Sequence, residues 1–140
     1  WKNIRKMEDR LAHLVSRKDV KEYNIGGEIK VLAIDCGIKN NQIRKLVGAG
    51  CHVKVVPWDY DFLDESFDRL FISNGPGDPL DCGILIDRLK LFMEKDMTTP
   101  IFGICLGHQI LALAAGCKTY KMKYGNRGHN IPSYLVGTKR

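Results

Sequence analysis

A chain of 140 residues, 44% hydrophobic and 27% charged, is long enough for one domain with its own core and short for two. No apolar run approaches the roughly 18 residues needed to span a bilayer, and the charged, acid-containing start resembles neither a signal nor a transit peptide; a membrane partner is not expected. The formal charge of +6 is uneven, because Lys118, Lys121, Lys123, Arg127, Lys139 and Arg140 follow Cys117 with no acidic residue among them. Without an aromatic-studded groove beside it, that basic stretch reads as a solvated face or a contact with another domain, not as a nucleic-acid site.

In chain order, residues 1–28 are rich in charge. Ile4, Met7, Leu11, Leu14 and Val15 recur at helical spacing, which predicts a short helix over 4–17, and "NIGGE" at 24–28 supplies a glycine break. The segment 1–28 is read as a connector from a preceding domain, with an N-terminal helix of the same domain as the alternative. Residues 29–140 are read as a partial domain, since the chain starts at Trp1 and "SYLVGTKR" at its end has the pattern of a strand in progress.

From residue 29 apolar strands alternate with amphipathic helices. "IKVLAID", "HVKVVPW", "DRLFISN" and "PIFGI" are predicted strands; "NNQIRKLVGAG", "ILIDRLKLFMEK" and "HQILALAA" are predicted helices, the first with Ile43, Leu46 and Val47 on one side. Continuous apolar strands, each followed by a crossover, imply an α/β fold: an open parallel sheet with helices on both faces. Right-handed crossovers gather the strand C-termini along one edge, where such sheets bind ligands. The loops expected there are "DCG" (35–37), "PWD" (57–59), "NGPGDP" (74–79) and "CLG" (105–107).

Cys36, Cys51, Cys82, Cys105 and Cys117 are odd in number, widely spread and without a C-x-x-C pair. They read as reduced thiols, neither a disulfide frame nor a zinc site, and no metal is expected. Cys105 stands apart. "GICLG" has the form Gly-x-Cys-x-Gly, the thiol counterpart of the strand-turn-helix elbow that presents hydrolase serines. Small neighbours two residues to either side, here Gly103 and Gly107, let strand and helix approach. The helix that follows brings unpaired N–H groups and a positive dipole end that stabilise anionic sulfur. The same turn aims the Leu106 amide at an oxyanion, and a second donor is expected from "NGPGDP", where Gly75 and Gly77 are the candidates. The other four cysteines lack this context and read as packing or surface thiols.

A thiol hydrolase also needs a base, which in elbow enzymes comes from a later part of the chain. His108 is built into the helix and reads as structural; His129 lies in a loop that its Gly and Asn neighbours explain; His52 opens a strand and His13 lies in the connector. No triad is complete in this sequence. "NGPGDP" lacks the Lys-Ser/Thr of a P-loop, and no G-x-G-x-x-G follows the first strand, so a nucleotide site is not expected.

"ISNGPGDP", "IDCGIKNNQIRKL" and "PIFGICLGHQILALAAGCKTYKMKYGNRGHN" closely resemble the glutaminase domain of glutamine-dependent carbamoyl-phosphate synthetases, as a small subunit or a fused N-terminal region. This is a branch of the class I, triad-type glutamine amidotransferases with their flavodoxin-like fold, and the resemblance runs from about residue 20 to residue 140. It implies that Cys105 attacks the side-chain amide carbon of L-glutamine, that backbone N–H groups at Gly75 and Leu106 hold the oxyanion, and that Gly77 and Gln109 bind the substrate. It implies no cofactor for this step, with ATP and Mg used by the synthetase that receives the ammonia. It places the family's histidine and glutamate in a His-x-Glu segment downstream of residue 140, so this chain alone is expected to hydrolyse glutamine very slowly or not at all. The expected setting is cytoplasmic or mitochondrial. Two alternatives remain: a non-catalytic interaction module that keeps the fold, suggested by the missing base and the basic tail, and a thiol hydrolase of another substrate.

Overall fold

The computed structural model describes residues 11–125 and 136–138. Five strands form one sheet: β1 (Lys21–Tyr23), β2 (Lys30–Asp35), β3 (His52–Pro57), β4 (Arg69–Ile72) and β5 (Ile101–Gly103). Their spatial order is β1-β3-β2-β4-β5. The last four are mutually parallel, with Ala33 opposite both Val55 and Phe71, and Ile72 opposite Gly103. Helices α1 (Leu11–Val15), α2 (Asn40–Gly48), α3 (Gly83–Lys95) and α4 (Leu106–Ala114) accompany them, with a 3-10 turn at Pro79–Cys82 leading into α3.

Because strand side chains alternate between faces, the central strands β2, β3 and β4 each feed two cores, while Phe102 of β5 is exposed. Leu32, Ile34, Leu70 and Ile72 pack with Leu85, Leu89 and Phe92 of α3 and with Leu106 and Ile110 of α4. Val31, Ala33, Val53, Val55 and Phe71 face the other way, onto Ile43 of α2 with Leu46 and Val47 beside it. Burial on both faces accounts for the apolar runs of β2 and β4, whereas β3 is interrupted by the half-buried Lys54. The crossovers β2-α2-β3 and β4-α3-β5 therefore run over opposite faces. The chain leaves β2 toward β3 and returns to β4 on the other side of β2. That makes the C-terminal ends of β2 and β4 the switch point, where an open α/β sheet leaves a crevice.

One strand departs from the all-parallel expectation. β1 lies antiparallel on the outer edge of β3, pairing Lys21 with Val55 and Tyr23 with Val53, and Glu22 Oε2 stands 2.6 Å from His52 Nε2. Asn24 Nδ2 donates to the Cys51 carbonyl. Of the helix predicted over 4–17, residues 11–15 are helical and 4–10 lie outside the described residues. Its buried side is Ala12 followed by Ser16, while Leu14 and Val15 are exposed. The Ser16 hydroxyl accepts from the Trp58 amide and the Arg17 amide donates to Asp35, so residues 11–23 are packed on the sheet. The strand pattern expected at the end of the chain covers residues mostly outside those described; 136–138 form a turn and bend. No described helix is long and apolar enough to cross a membrane.

Candidate active site

Cys105 sits between β5 and α4 with φ 53° and ψ −108°, a backbone conformation that non-glycine residues rarely adopt. The strand enters it through Ile104, whose amide donates to the Ile72 carbonyl at 3.0 Å. The helix leaves it with the Gly107 amide on the Ile104 carbonyl at 2.9 Å and the Gln109 amide on the Cys105 carbonyl at 3.1 Å. The two flanking glycines are required by space. A Cβ on Gly103 would lie 2.6 Å from the Gly107 carbonyl, and one on Gly107 would strike the carbonyls of Ile72 and Ser73. The bend is thus clamped between β4 and its own helix, and Cys105 is left exposed at the top. Leu106, in contrast, is buried in the core.

The loop after β4 backs directly onto this elbow. A Cβ at Gly75 would come 3.0 Å from Leu106 Cδ2 and would collide with the Cys36 carbonyl. Only glycine fits between the β2 turn and the first residue of α4. The 74–79 loop is then turned by Gly77, at φ 101°, and closed by Asp78, whose carboxylate accepts from the Leu80 amide at 3.0 Å as the 3-10 turn begins.

Of the sequence-predicted site residues, the structure brings Cys105, Leu106 and Gly75 together. Gln109 is exposed one helical turn along α4. Gly77 stands against Leu11, whose Cβ is 3.3 Å from the place a Gly77 Cβ would take. His108 is exposed on α4, His13 meets Trp58 edge to face with ring centres 6.3 Å apart, and His129 lies outside the described residues. Among the described residues, no group of three or more histidine, cysteine or acidic side chains could hold a metal ion.

The cysteines divide by environment. Cys36, Cys51 and Cys82 are buried and Cys117 is exposed. Burial, followed by the neighbouring charges of Asp81 and Asp78, pushes the Cys82 thiol up to about 11. Burial is also the main cause that raises Cys36 far above the ordinary thiol range.

Two residues that lie within the quoted sequence motifs but were not singled out there shape the crevice. Asp35, buried at the end of β2, accepts the amides of Gly37 (2.8 Å) and Ile38 (2.7 Å) on Oδ1 and that of Arg17 (3.1 Å) on Oδ2. Ser73, fully buried at the end of β4, takes the Cys36 amide on its hydroxyl oxygen at 2.9 Å and contacts the Asn74 carbonyl at 2.8 Å. The "D-x-G" of the first turn carries a signal for the former, since an aspartate followed by glycine favours a side-chain-capped turn.

A doubly wound sheet with a cysteine-bearing elbow between β5 and α4 defines the α/β class of the domain, and the chain belongs to the glutamine amidotransferase class-I family, which matches residues 32–139. Within that family the chain is 56% identical over 130 residues to the multifunctional protein CAD of Squalus acanthias, covering 93% of this chain and 6% of that one. It is 53% identical over 114 residues to the carbamoyl phosphate synthase arginine-specific small chain of Candida albicans, covering 80% of this chain and 26% of the other. The chain therefore spans a small part of the length of these relatives. Among solved structures, a GMP synthase protein of Thermoplasma acidophilum superposes with a TM-score of 0.54 at 27% identity, over 63% of this chain and 45% of that one.

Proposed function

We propose that the chain forms the nucleophile-bearing part of a glutaminase that supplies ammonia to a carbamoyl-phosphate synthetase, either a separate large subunit or synthetase domains of the same polypeptide. The observation that carries the reading is the exposed Cys105 at φ 53°, set against the Gly75 loop. The cysteinyl sulfur attacks the side-chain amide carbon of L-glutamine, and the carbonyl oxygen takes up negative charge between the amides of Gly75 and Leu106. Collapse of this adduct breaks the C–N bond; the nitrogen leaves as ammonia with the proton given up by the thiol. Water then cleaves the glutamyl thioester, yielding glutamate and restoring the thiol. Gly77 and Gln109 are proposed to hold the substrate. The carbamoyl phosphate synthase named in the small-chain relative supports the synthetase as recipient, and ATP and Mg are proposed to belong to that later step.

Among the described residues, no histidine is hydrogen-bonded to the Cys105 sulfur. The base that moves the proton from sulfur to nitrogen is proposed to come from a His-x-Glu segment beyond residue 140, as the family resemblance implies. Residues 1–140 alone then turn over glutamine orders of magnitude more slowly than a protein carrying that segment. The test is a glutamine analogue with an electrophilic carbon, applied to the full-length protein that contains this chain. Covalent labelling at Cys105, lost in Cys105→Ser together with glutaminase turnover, is the expected result. A folded full-length protein that neither labels nor hydrolyses glutamine is a non-catalytic module instead.

A further inference from the structure

The Ser73 hydroxyl lies between two backbone groups of fixed polarity. The Cys36 N–H at 2.9 Å can only donate and the Asn74 carbonyl at 2.8 Å can only accept, so the hydroxyl oxygen receives the first bond and its proton makes the second. Both roles of this fully buried group are used, and its rotation is locked. The Asn74 carbonyl belongs to the same peptide unit as the Gly75 N–H. No cis peptide occurs among the described residues, and in a planar trans unit the C=O and N–H point in opposite directions. Pinning the carbonyl inward on Ser73 therefore aims the Gly75 N–H outward, away from the bonds joining β2 and β4. The far side of the unit is fixed as well, because Gly75 is wedged between the Cys36 carbonyl and Leu106.

We propose that Ser73 is a positioning residue for catalysis: through the Asn74 carbonyl it orients the Gly75 amide as an oxyanion donor before substrate arrives. The proposal rests on the assignment of Cys105 as nucleophile and Gly75 as donor. A preset donor stabilises developing charge without having to reorient during the reaction, and one free to rotate loses that advantage. Serine also ties this peptide to the β2 turn through Cys36, so the loop and the turn hold a common register.

The experiment compares two reactions of the same sulfur in the full-length protein. Glutamine hydrolysis passes through an oxyanion; alkylation of Cys105 by iodoacetamide, a displacement at saturated carbon, does not. In Ser73→Ala, glutaminase kcat/KM is expected to fall at least about tenfold while the Cys105 alkylation rate, followed by peptide mass, stays within about twofold. Ser73→Thr, which keeps the hydroxyl, is expected to recover most of the turnover. Unchanged turnover in Ser73→Ala overturns the proposal, and so does an equal fall in both rates, which would make Ser73 a packing residue. If Ser73→Ala does not fold, Ser73→Cys is judged by the same ratio, because its thiol is a weaker donor with a longer bond to Cβ. A wild-type protein that is alkylated at Cys105 yet never hydrolyses glutamine overturns the functional assignment itself, whereas an active wild type with an indifferent Ser73 overturns only the positioning role.

Discussion

The carbonyl oxygen of Ile72, on β4, occupies the space that a Cβ on Gly107 would need. This relationship lets the first turn of α4 lie on the end of β4, with Cys105 at the crest of the bend. Gly107→Ala must push backbone against backbone. We expect it to destabilise the domain by about 3 kcal/mol, at the upper end of ordinary overpacking because no side chain can move aside. Gly83→Ala is the internal control: Gly83 has helical φ −51° and ψ −44° and open space around its Cα, so the same change there should be neutral or stabilising by about 0.5 kcal/mol. Urea unfolding of both variants checks the pair, and equal losses would contradict the clamp.

The five cysteines should separate cleanly toward an alkylating reagent. In the native protein at pH 8, Cys105 and Cys117, both exposed, are expected to react, and Cys36, Cys51 and Cys82, all buried, to stay protected until unfolding. For Cys36 and Cys82 the protection is also chemical, since burial raises both thiols and leaves Cys82 un-ionised until about pH 11. Peptide mass mapping after timed exposure to iodoacetamide reads this directly. Early modification of Cys82 in folded protein would contradict it.

The elements after residue 29 were legible because burial on both faces leaves a strong signal: apolar runs of β2 and β4, and the Ile43, Leu46, Val47 stripe of α2. The elbow was legible too, since Gly103 and Gly107 are demanded by close backbone approach and no other residue type satisfies it. β1 was not. Its three residues, Lys21, Glu22 and Tyr23, are mostly exposed and have no alternation of their own; the free edge of β3 supplies their pairing. The apolar spacing of α1 did not mark its docked side, because the small residues Ala12 and Ser16 lie against the sheet while Leu14 and Val15 remain outside. Asp35 and Ser73 escaped notice because their partners include main-chain groups 18 and 37 positions away, and such pairings depend on topology more than on residue type.

Asp35 receives three backbone amides on two carboxylate oxygens. In Asp35→Asn the remaining carbonyl oxygen can keep Gly37 and Ile38, but the new NH₂ then faces the Arg17 N–H, donor against donor. A buried donor left without an acceptor costs about 1–3 kcal/mol. We expect a loss of that size in thermal or urea unfolding, with faster amide exchange at Arg17 because its tether to β2 is gone. Retained protection of that amide in the variant would show that the segment is held by Ala12 and Ser16 alone.

On the connection from β3 to β4, Glu65 binds Lys54 Nζ at 2.7 Å and the Tyr60 hydroxyl at 2.5 Å, and the three should give stability a predictable pH profile. The bond from Lys54, then that from Tyr60, lowers the Glu65 carboxyl below its ordinary range. Its contribution is therefore complete above the unfolded value of roughly 4.3 and disappears as pH falls through the lower folded value. Lys54 and Tyr60 are raised, each first by its hydrogen bond to Glu65. Their contributions are complete below the unfolded values of roughly 10 and are lost as pH rises through the higher folded ones. The Lys54 and Glu65 side chains are 28% and 29% exposed, so solvent screening keeps the pair near about 1 kcal/mol. Glu65→Gln should lower stability by that order at pH 7 and have a diminishing effect below pH 4, where the wild-type carboxyl also becomes protonated. Unfolding free energies of both proteins from pH 2 to pH 8 provide the check, and a difference that stays constant across that range would mean the carboxylate charge contributes nothing to the loop.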